Sequence, residues 1–172
     1  MKNVAYYNGK IDLMENLTIP FNDRSHFFGD GIYDATIAAN RKLFDIDFHM
    51  ERFYNGLKLV GINFKMSPEE LRAEIQKCVD LMDSDGPVFV YYSCTRGTAS
   101  RSFTYPDGEP NLLINIRECK LADLRQHWKL LTVEDTRFYH CNIKTLNLLP
   151  AVMASEKAKQ AGCQEVIFHR GE

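Results

Sequence analysis

SPEELRAEIQKCVDLM, residues 67–82, constrains the fold of this chain more than any other stretch. Ser67 stands where a cap accepts a backbone N–H, and Glu70 follows three residues on to complete a capping box. Pro68 takes the first helical position, where its missing N–H costs nothing. Leu71, Ile75, Val79 and Met82 then recur at helical spacing along one face. A helix with one apolar stripe must bury it against another element. PVFVYYSCTRG (87–97) and PNLLINIRECK (110–120) offer that surface as two core strands, joined by the polar loop TASRSFTYPDGE. Upstream, HMERFYNGLKLVGI sets Met50, Phe53, Leu57 and Val60 at the same spacing, with Asp47 as its expected cap.

The first residues are β-rich. Asn8 and Gly9 in VAYYNGKIDL tolerate the positive φ angles of a tight hairpin turn. FFGDGIYDATIAANRKLFDID follows with a glycine bend, a strand near Ile32 to Ala38, a turn at Asn40 and Arg41, and another short strand. Residues 1–120 therefore form a complete α+β unit. ADLRQHW reads as a linker, WKLLTVED as a strand, TLNLLPAVMASEKAKQAGC as a helix stopped by Gly162 with Pro150 near its first turn, and QEVIFHR as a strand. Residues 121–172 are thus expected to begin a second domain that is cut short, since a strand, a helix and a strand do not close one.

Lys plus Arg 21 against Asp plus Glu 23 gives a formal charge of −2, which favours neither nucleic acid nor anionic lipid as a partner. The N-terminus lacks the apolar core of a secretory signal and no run reaches transmembrane length, so the chain reads as cytoplasmic. Its five cysteines are scattered without a C-x-x-C pair, which suits buried free thiols better than a disulfide framework. The five histidines show no metal-type spacing, and no metal is assigned.

Four residues are candidates for chemistry. Lys144, between Ile143 and Thr145, is either a surface group laying its stem along a core edge or an amine held in a desolvated pocket for attack on a carbonyl. Arg52 offers a donor fork suited to phosphate, or belongs to a solvated helix face. Arg101, with Arg96 before it, lies where binding residues gather, and the plain alternative is an exposed loop charge. Tyr33 is either a core aromatic or a hydroxyl donor.

FGDGIYD, HMERFY, TRGTASR and CNIKTLNLL, in this order and at these separations, resemble the class IV aminotransferases, the fold-type IV enzymes dependent on pyridoxal phosphate. Among these, the D-amino-acid aminotransferases are the nearest group. The resemblance runs from YNGKI to QEVIFHR. It implies an aminotransferase moving an amino group from an amino acid, with the D-series favoured, to a 2-oxo acid, and it implies a homodimer. Lys144 matches the lysine that holds the pyridoxal phosphate aldehyde as an imine and later shuttles the substrate proton. Arg52 matches the phosphate-binding arginine. Tyr33 and Arg101 match residues that grip the substrate α-carboxylate, the arginine coming from the neighbouring protomer.

Two departures stand out. The D-specific pattern has a carboxylate-binding histidine two residues after the loop arginine, where this chain has Phe103, and a phenyl ring donates no hydrogen bond to an anion. Either Arg101 and Tyr33 suffice or the pocket is retuned; aminodeoxychorismate lyases share the fold and are the alternative, as is a non-catalytic fragment. The family also continues beyond QEVIFHR into a V-T-E-G-like element whose glutamate pairs with the cofactor ring nitrogen. The resemblance therefore implies a truncated chain with impaired activity and an exposed apolar helix from Leu146 to Ala154.

Overall fold

The structure, a computed structural model, describes residues 1–171. It divides into two compact units, one of residues 1–121 with 143–146, the other of 122–142 with the residues from Asn147 onward. Residues 143–146, assigned from the sequence to the second domain, thus pack with the first unit.

The first unit is built on a six-stranded antiparallel sheet in the order β2-β1-β6-β5-β3-β4. β1 (Asn3–Tyr7) and β2 (Lys10–Asp12) form the opening hairpin. Asn8 and Gly9 both take positive φ, 45° and 91°, as that two-residue turn requires. β3 (Gly31–Ala39) and β4 (Lys42–Leu43) repeat the device, with Asn40 at φ 49° and Arg41 at φ 60°. β5 (Val88–Thr95) pairs with β3 on one side and with β6 (Asn111–Glu118) on the other.

Strand alternation gives this sheet two unlike faces. Ile32, Val90, Tyr92, Ile114 and Ile116 are all buried on one face. α2 (Ile46–Val60) packs on β3, and α3 (Pro68–Asp80) on β1, β5 and β6. Phe53 of α2 lies 4.9 Å from the Tyr92 ring, and Leu71 and Ile75 of α3 are fully buried. The capping box of α3 forms as its sequence dictates, with Glu70 N–H on Ser67 Oγ and Ser67 N–H on Glu70 Oε2. α2 corrects the expected cap. It starts at Ile46, one residue before Asp47, from a left-handed Asp45 that makes no side-chain cap bond; Asp47 sits in the first turn and pairs with Arg72. A short helix, α1 (Arg24–Phe28), precedes β3 and is capped by Asp23 accepting from Ser25 N–H.

The second unit is a parallel pair, β7 (Leu130–Glu134) and β8 (Glu165–His169), connected through α4 (Leu149–Gln160). α4 begins four residues later than TLNLLPAV suggests. Leu146 N–H bonds to Gly31 O and Thr145 bridges to Ile32, so the start of that stretch is extended along β3, and the helix opens with Pro150 in its first turn. The expectation of buried thiols holds for Cys78 and Cys94, whose burial pushes each thiol up to about 12. It fails for Cys141, which is exposed, and Cys119 and Cys163 are half-buried. Among the described residues no helix is long and apolar enough to cross a membrane.

Candidate active site

β3 positions the site because β5 pairs along one of its edges from Gly31 to Ala38, whereas β4 covers the other edge only at Ala38 and Ala39. Residues 143–146 fill that edge: Tyr33 N–H donates to Lys144 O at 3.0 Å, and Leu146 N–H donates to Gly31 O at 3.1 Å. Gly31 lets the segment approach this closely, since a Cβ there would stand 2.6 Å from Cys94 O and 2.9 Å from Leu146 Cδ1. Thr145 is buried in this bridge and Ile143 packs against the core, so the half-buried Lys144 between them is fixed at its backbone. Its Nζ lies 4.1 Å from the centroid of the Tyr33 ring, which is itself stacked on Tyr91 at 5.4 Å. Among the described residues Lys144 makes no ion pair. An ammonium over an aromatic face gains about 0.5–2 kcal/mol there.

One residue along, Asp34 points to the opposite face and is fully buried. Arg52 grips it with a two-point fork, Nε to Oδ2 at 2.8 Å and Nη2 to Oδ1 at 2.7 Å, and His49 Nδ1 lies 2.8 Å from Oδ1. Burial alone would push the Asp34 carboxyl up, yet the hydrogen bonds from Arg52 and His49 together hold it below the ordinary range. The sign of the linkage follows. A carboxyl whose folded pKa is depressed contributes stability in full above its unfolded pKa, and that contribution is lost as pH falls through the folded value. Acidification is therefore expected to destabilise the wild type more than Asp34→Asn, measured as the difference in denaturant midpoint between about pH 7 and about pH 3. Equal acid sensitivity would contradict this pairing.

The Arg52 side chain is 40 % exposed, and among the described residues its Nη1 has no hydrogen-bond partner. Arg52 also senses the nearby Tyr33 and Tyr92 electrostatically. Arg101 lies elsewhere in the unit. It is exposed on the 97–110 loop, with its guanidinium carbon 5.3 Å from the Phe28 ring and 5.5 Å from the Phe103 ring. The structure thus brings Lys144 and Tyr33 into contact and sets Arg52 on Asp34, the next residue of β3, while the described ring contacts of Arg101 are two phenyl groups. Arg96, grouped with Arg101 in the sequence, is buried: it donates to Asp30, Val60 O and Gly61 O. Asp34 and His49 stand inside FGDGIYD and HMERFY, but the sequence assigns neither a role. A lone aspartate in a strand carries no periodic signal, and the histidine three residues before Arg52 shows no metal-type spacing.

The amino-transferase class IV family pattern matches residues 31–172. The chain belongs to that family. Among its relatives, a D-alanine aminotransferase of Staphylococcus aureus (strain MSSA476) is 36% identical over 171 residues, covering 97% of this chain and 60% of that protein. A D-alanine aminotransferase of Listeria monocytogenes serotype 4b (strain F2365) is 34% identical over 92% of this chain and 56% of its own length. This class IV chain therefore spans about 60% of the length of the curated relatives it matches. Its fold is that of a branched-chain aminotransferase from Thermoproteus uzoniensis, with a TM-score of 0.86 at 16% identity over 98% of this chain and 60% of that one. It also matches the PLP-bound form of a hypothetical aminotransferase from Mycobacterium tuberculosis, with a TM-score of 0.79 at 13% identity over 97% of this chain and 62% of that one.

Class IV aminotransferases use pyridoxal phosphate, and the residues present fit that group. A cofactor with an aldehyde and a phosphate asks for a primary amine outside any ion pair and a cation with a donor to spare. Lys144 and the Nη1 edge of Arg52 have these properties.

Proposed function

We propose that the protein transfers an amino group from an amino acid, with the D-series favoured, to a 2-oxo acid, using pyridoxal phosphate. The observation that carries this reading is the docking of Lys144 on the β3 edge, its amine over Tyr33 and, among the described residues, outside any ion pair. The D-alanine aminotransferase relatives at 36% and 34% identity support the substrate class. Bound pyridoxal phosphate supplies an aldehyde that a lysine amine can hold and an electron sink for the substrate Cα. Lys144 Nζ would hold that aldehyde and would take and return the substrate Cα proton, work that requires a primary amine. Arg52 Nη1 donates to the phosphate, while Asp34 and His49 hold the guanidinium in orientation. The Tyr33 hydroxyl and Arg101 grip the α-carboxylate. Phe103 offers that carboxylate no donor, so the arginine and the tyrosine carry its charge and Phe103 packs against Phe28, 5.5 Å between ring centroids.

The working form on this reading is a homodimer in which Arg101 serves the neighbouring copy's site. Within one chain the described ring contacts of Arg101 are Phe28 and Phe103, whereas Lys144 lies over Tyr33, which supports that arrangement. Turnover of D-alanine with 2-oxoglutarate tests the reaction, and pyruvate release from aminodeoxychorismate instead would make the protein a lyase.

The phosphate role has its own test. A charged hydrogen bond contributes about 1.5–3 kcal/mol, so Arg52→Gln is expected to weaken pyridoxal phosphate binding by about 10- to 150-fold. Binding of pyridoxal, which lacks the phosphate, should change little. Parallel titrations of wild type and variant with the two compounds read this difference, and an unchanged preference for the phosphorylated form would remove Arg52 from the site.

A further inference from the structure

We propose that Arg24 is a positioning residue, which together with Asp30 and Arg96 forms a buried ionic clamp fixing the 97–110 loop so that Arg101 is presented to an anionic substrate in one orientation. The proposal rests on the reading of Arg101 given above and adds the device that sets it.

The loop needs such a device. Among the described residues, the Ser102 carbonyl is the single backbone group of residues 100–109 that is hydrogen-bonded to the rest of the protein. Its donor is Arg24 Nη1 at 2.7 Å. Ser102 lies directly between Arg101 and Phe103, so this one bond sets the backbone on which both side chains stand. Arg24 is only 3 % exposed, and its Nε is anchored on Asp30 Oδ2 at 2.7 Å. Asp30 in turn accepts from Arg96 Nε at 3.0 Å with each of its oxygens. Arg96 grips the C-terminal carbonyls of α2, Val60 O and Gly61 O, and its guanidinium carbon lies 3.5 Å from the centroid of the exposed Tyr105 ring.

The start of the loop is tied to the same region. Arg24 N–H donates to Gly97 O, Ala99 N–H donates to Asn22 O, and Asp23 bridges to Thr98. Phe28, one helical turn beyond Arg24, lies under the guanidinium carbons of both Arg24 and Arg101, at 4.8 and 5.3 Å. Asp30 directly precedes Gly31, whose carbonyl receives the Leu146 N–H. The clamp therefore refers the Arg101 loop to the same strand end on which the Lys144 segment is docked.

A lysine at position 24 keeps a charge for Asp30, but a point ammonium lacks the planar fork that spans Asp30 and Ser102 O together. Arg24→Lys leaves Asp30 paired with Arg96, so the fold should stand. Two measurements on the full chain test the proposal. The first is the rate of tryptic cleavage after Arg101 under native conditions, followed by mass spectrometry. It should rise at least about tenfold in Arg24→Lys while the thermal midpoint stays close to that of the wild type. This readout does not depend on the function assigned, and an unchanged rate overturns the clamp. The second is the amino-acid concentration giving half-maximal effect, in turnover or in the absorbance of bound pyridoxal phosphate. It should rise about five- to tenfold in Arg24→Lys with kcat nearly unchanged, and Arg24→Lys should add nothing to Arg101→Ala, because the first acts through the second. Full additivity, or faster cleavage with unaltered amino-acid dependence, overturns the positioning role. No effect of Arg101→Ala by itself would instead overturn the reading of Arg101, and the proposal with it.

Discussion

Lys144→Ala is expected to abolish the absorbance change that the wild type shows on titration with pyridoxal phosphate and to lower any transamination by at least about 10²–10⁴-fold, the range that a positioned proton-transfer group contributes. The loss should be specific to the amine. Lys144 is held by the backbone bonds of Tyr33 N–H to Lys144 O and Leu146 N–H to Gly31 O, neither of which involves its side chain. The variant should therefore fold with the β3 edge still covered, losing only the contact of Nζ with the Tyr33 ring. Lys144→Arg should behave like the alanine variant, because a guanidinium keeps the charge but stays protonated at any accessible pH. Its cation can still lie over Tyr33, so a failure of both variants separates amine chemistry from packing. Spectra of the two variants beside the wild type check this, and a wild-type-like change in either would exclude Lys144 as the anchoring amine.

Asp30→Asn is expected to be the most destabilising single polar substitution in the first unit, at about 3–5 kcal/mol, the cost of breaking a buried ion pair by removing one partner. The side chains of Arg24 and Arg96 are 3 % and 8 % exposed, and both depend on this one carboxylate. Asparagine keeps one acceptor oxygen but no charge, so two buried guanidiniums lose their shared counter-ion. Asp47→Asn is the proper contrast. That carboxylate pairs with Arg72 at 2.8 Å, yet the two side chains are 84 % and 52 % exposed, so solvent screens the pair and the loss should stay below about 1 kcal/mol. Chemical denaturation of the three proteins measures both. A loss at Asp30 no greater than that at Asp47 would mean that the clamp is open to solvent.

The parts of this fold legible in the sequence are those whose cause is local. The Ser67–Glu70 box, the Asn8–Gly9 turn and the alternation through β5 and β6 each follow from residues a few positions apart. The start of α2 differs by two residues from the expected position because Asp45, not Asp47, stands at the cap, in a left-handed conformation. The α4 boundary differs for a longer-range reason, since Lys144 and Leu146 hydrogen-bond to a strand more than a hundred residues earlier in the chain. α1, five residues long, is too short to show a period.

The same distinction applies to the site. Lys144, Arg52, Tyr33 and Arg101 are recognisable because each lies in a motif resembling a family, whereas their supports are set by distant pairings. Asp34 meets Arg52 from 18 positions away, and Arg96 meets Asp30 from 66. Arg96 and Arg101 look alike in sequence, as arginines five residues apart at a strand end and in the loop after it. Burial alone separates them, placing the first in the frame and leaving the second in solvent.

The central claim is that one amine, fixed on the edge of β3, receives the cofactor aldehyde. Borohydride trapping of the full chain with stoichiometric pyridoxal phosphate, followed by peptide mapping, tests it most directly. The expected result is a single dominant label on the peptide carrying Lys144, absent from Lys144→Ala. A label distributed over exposed lysines, with Lys144 unmodified, would contradict it.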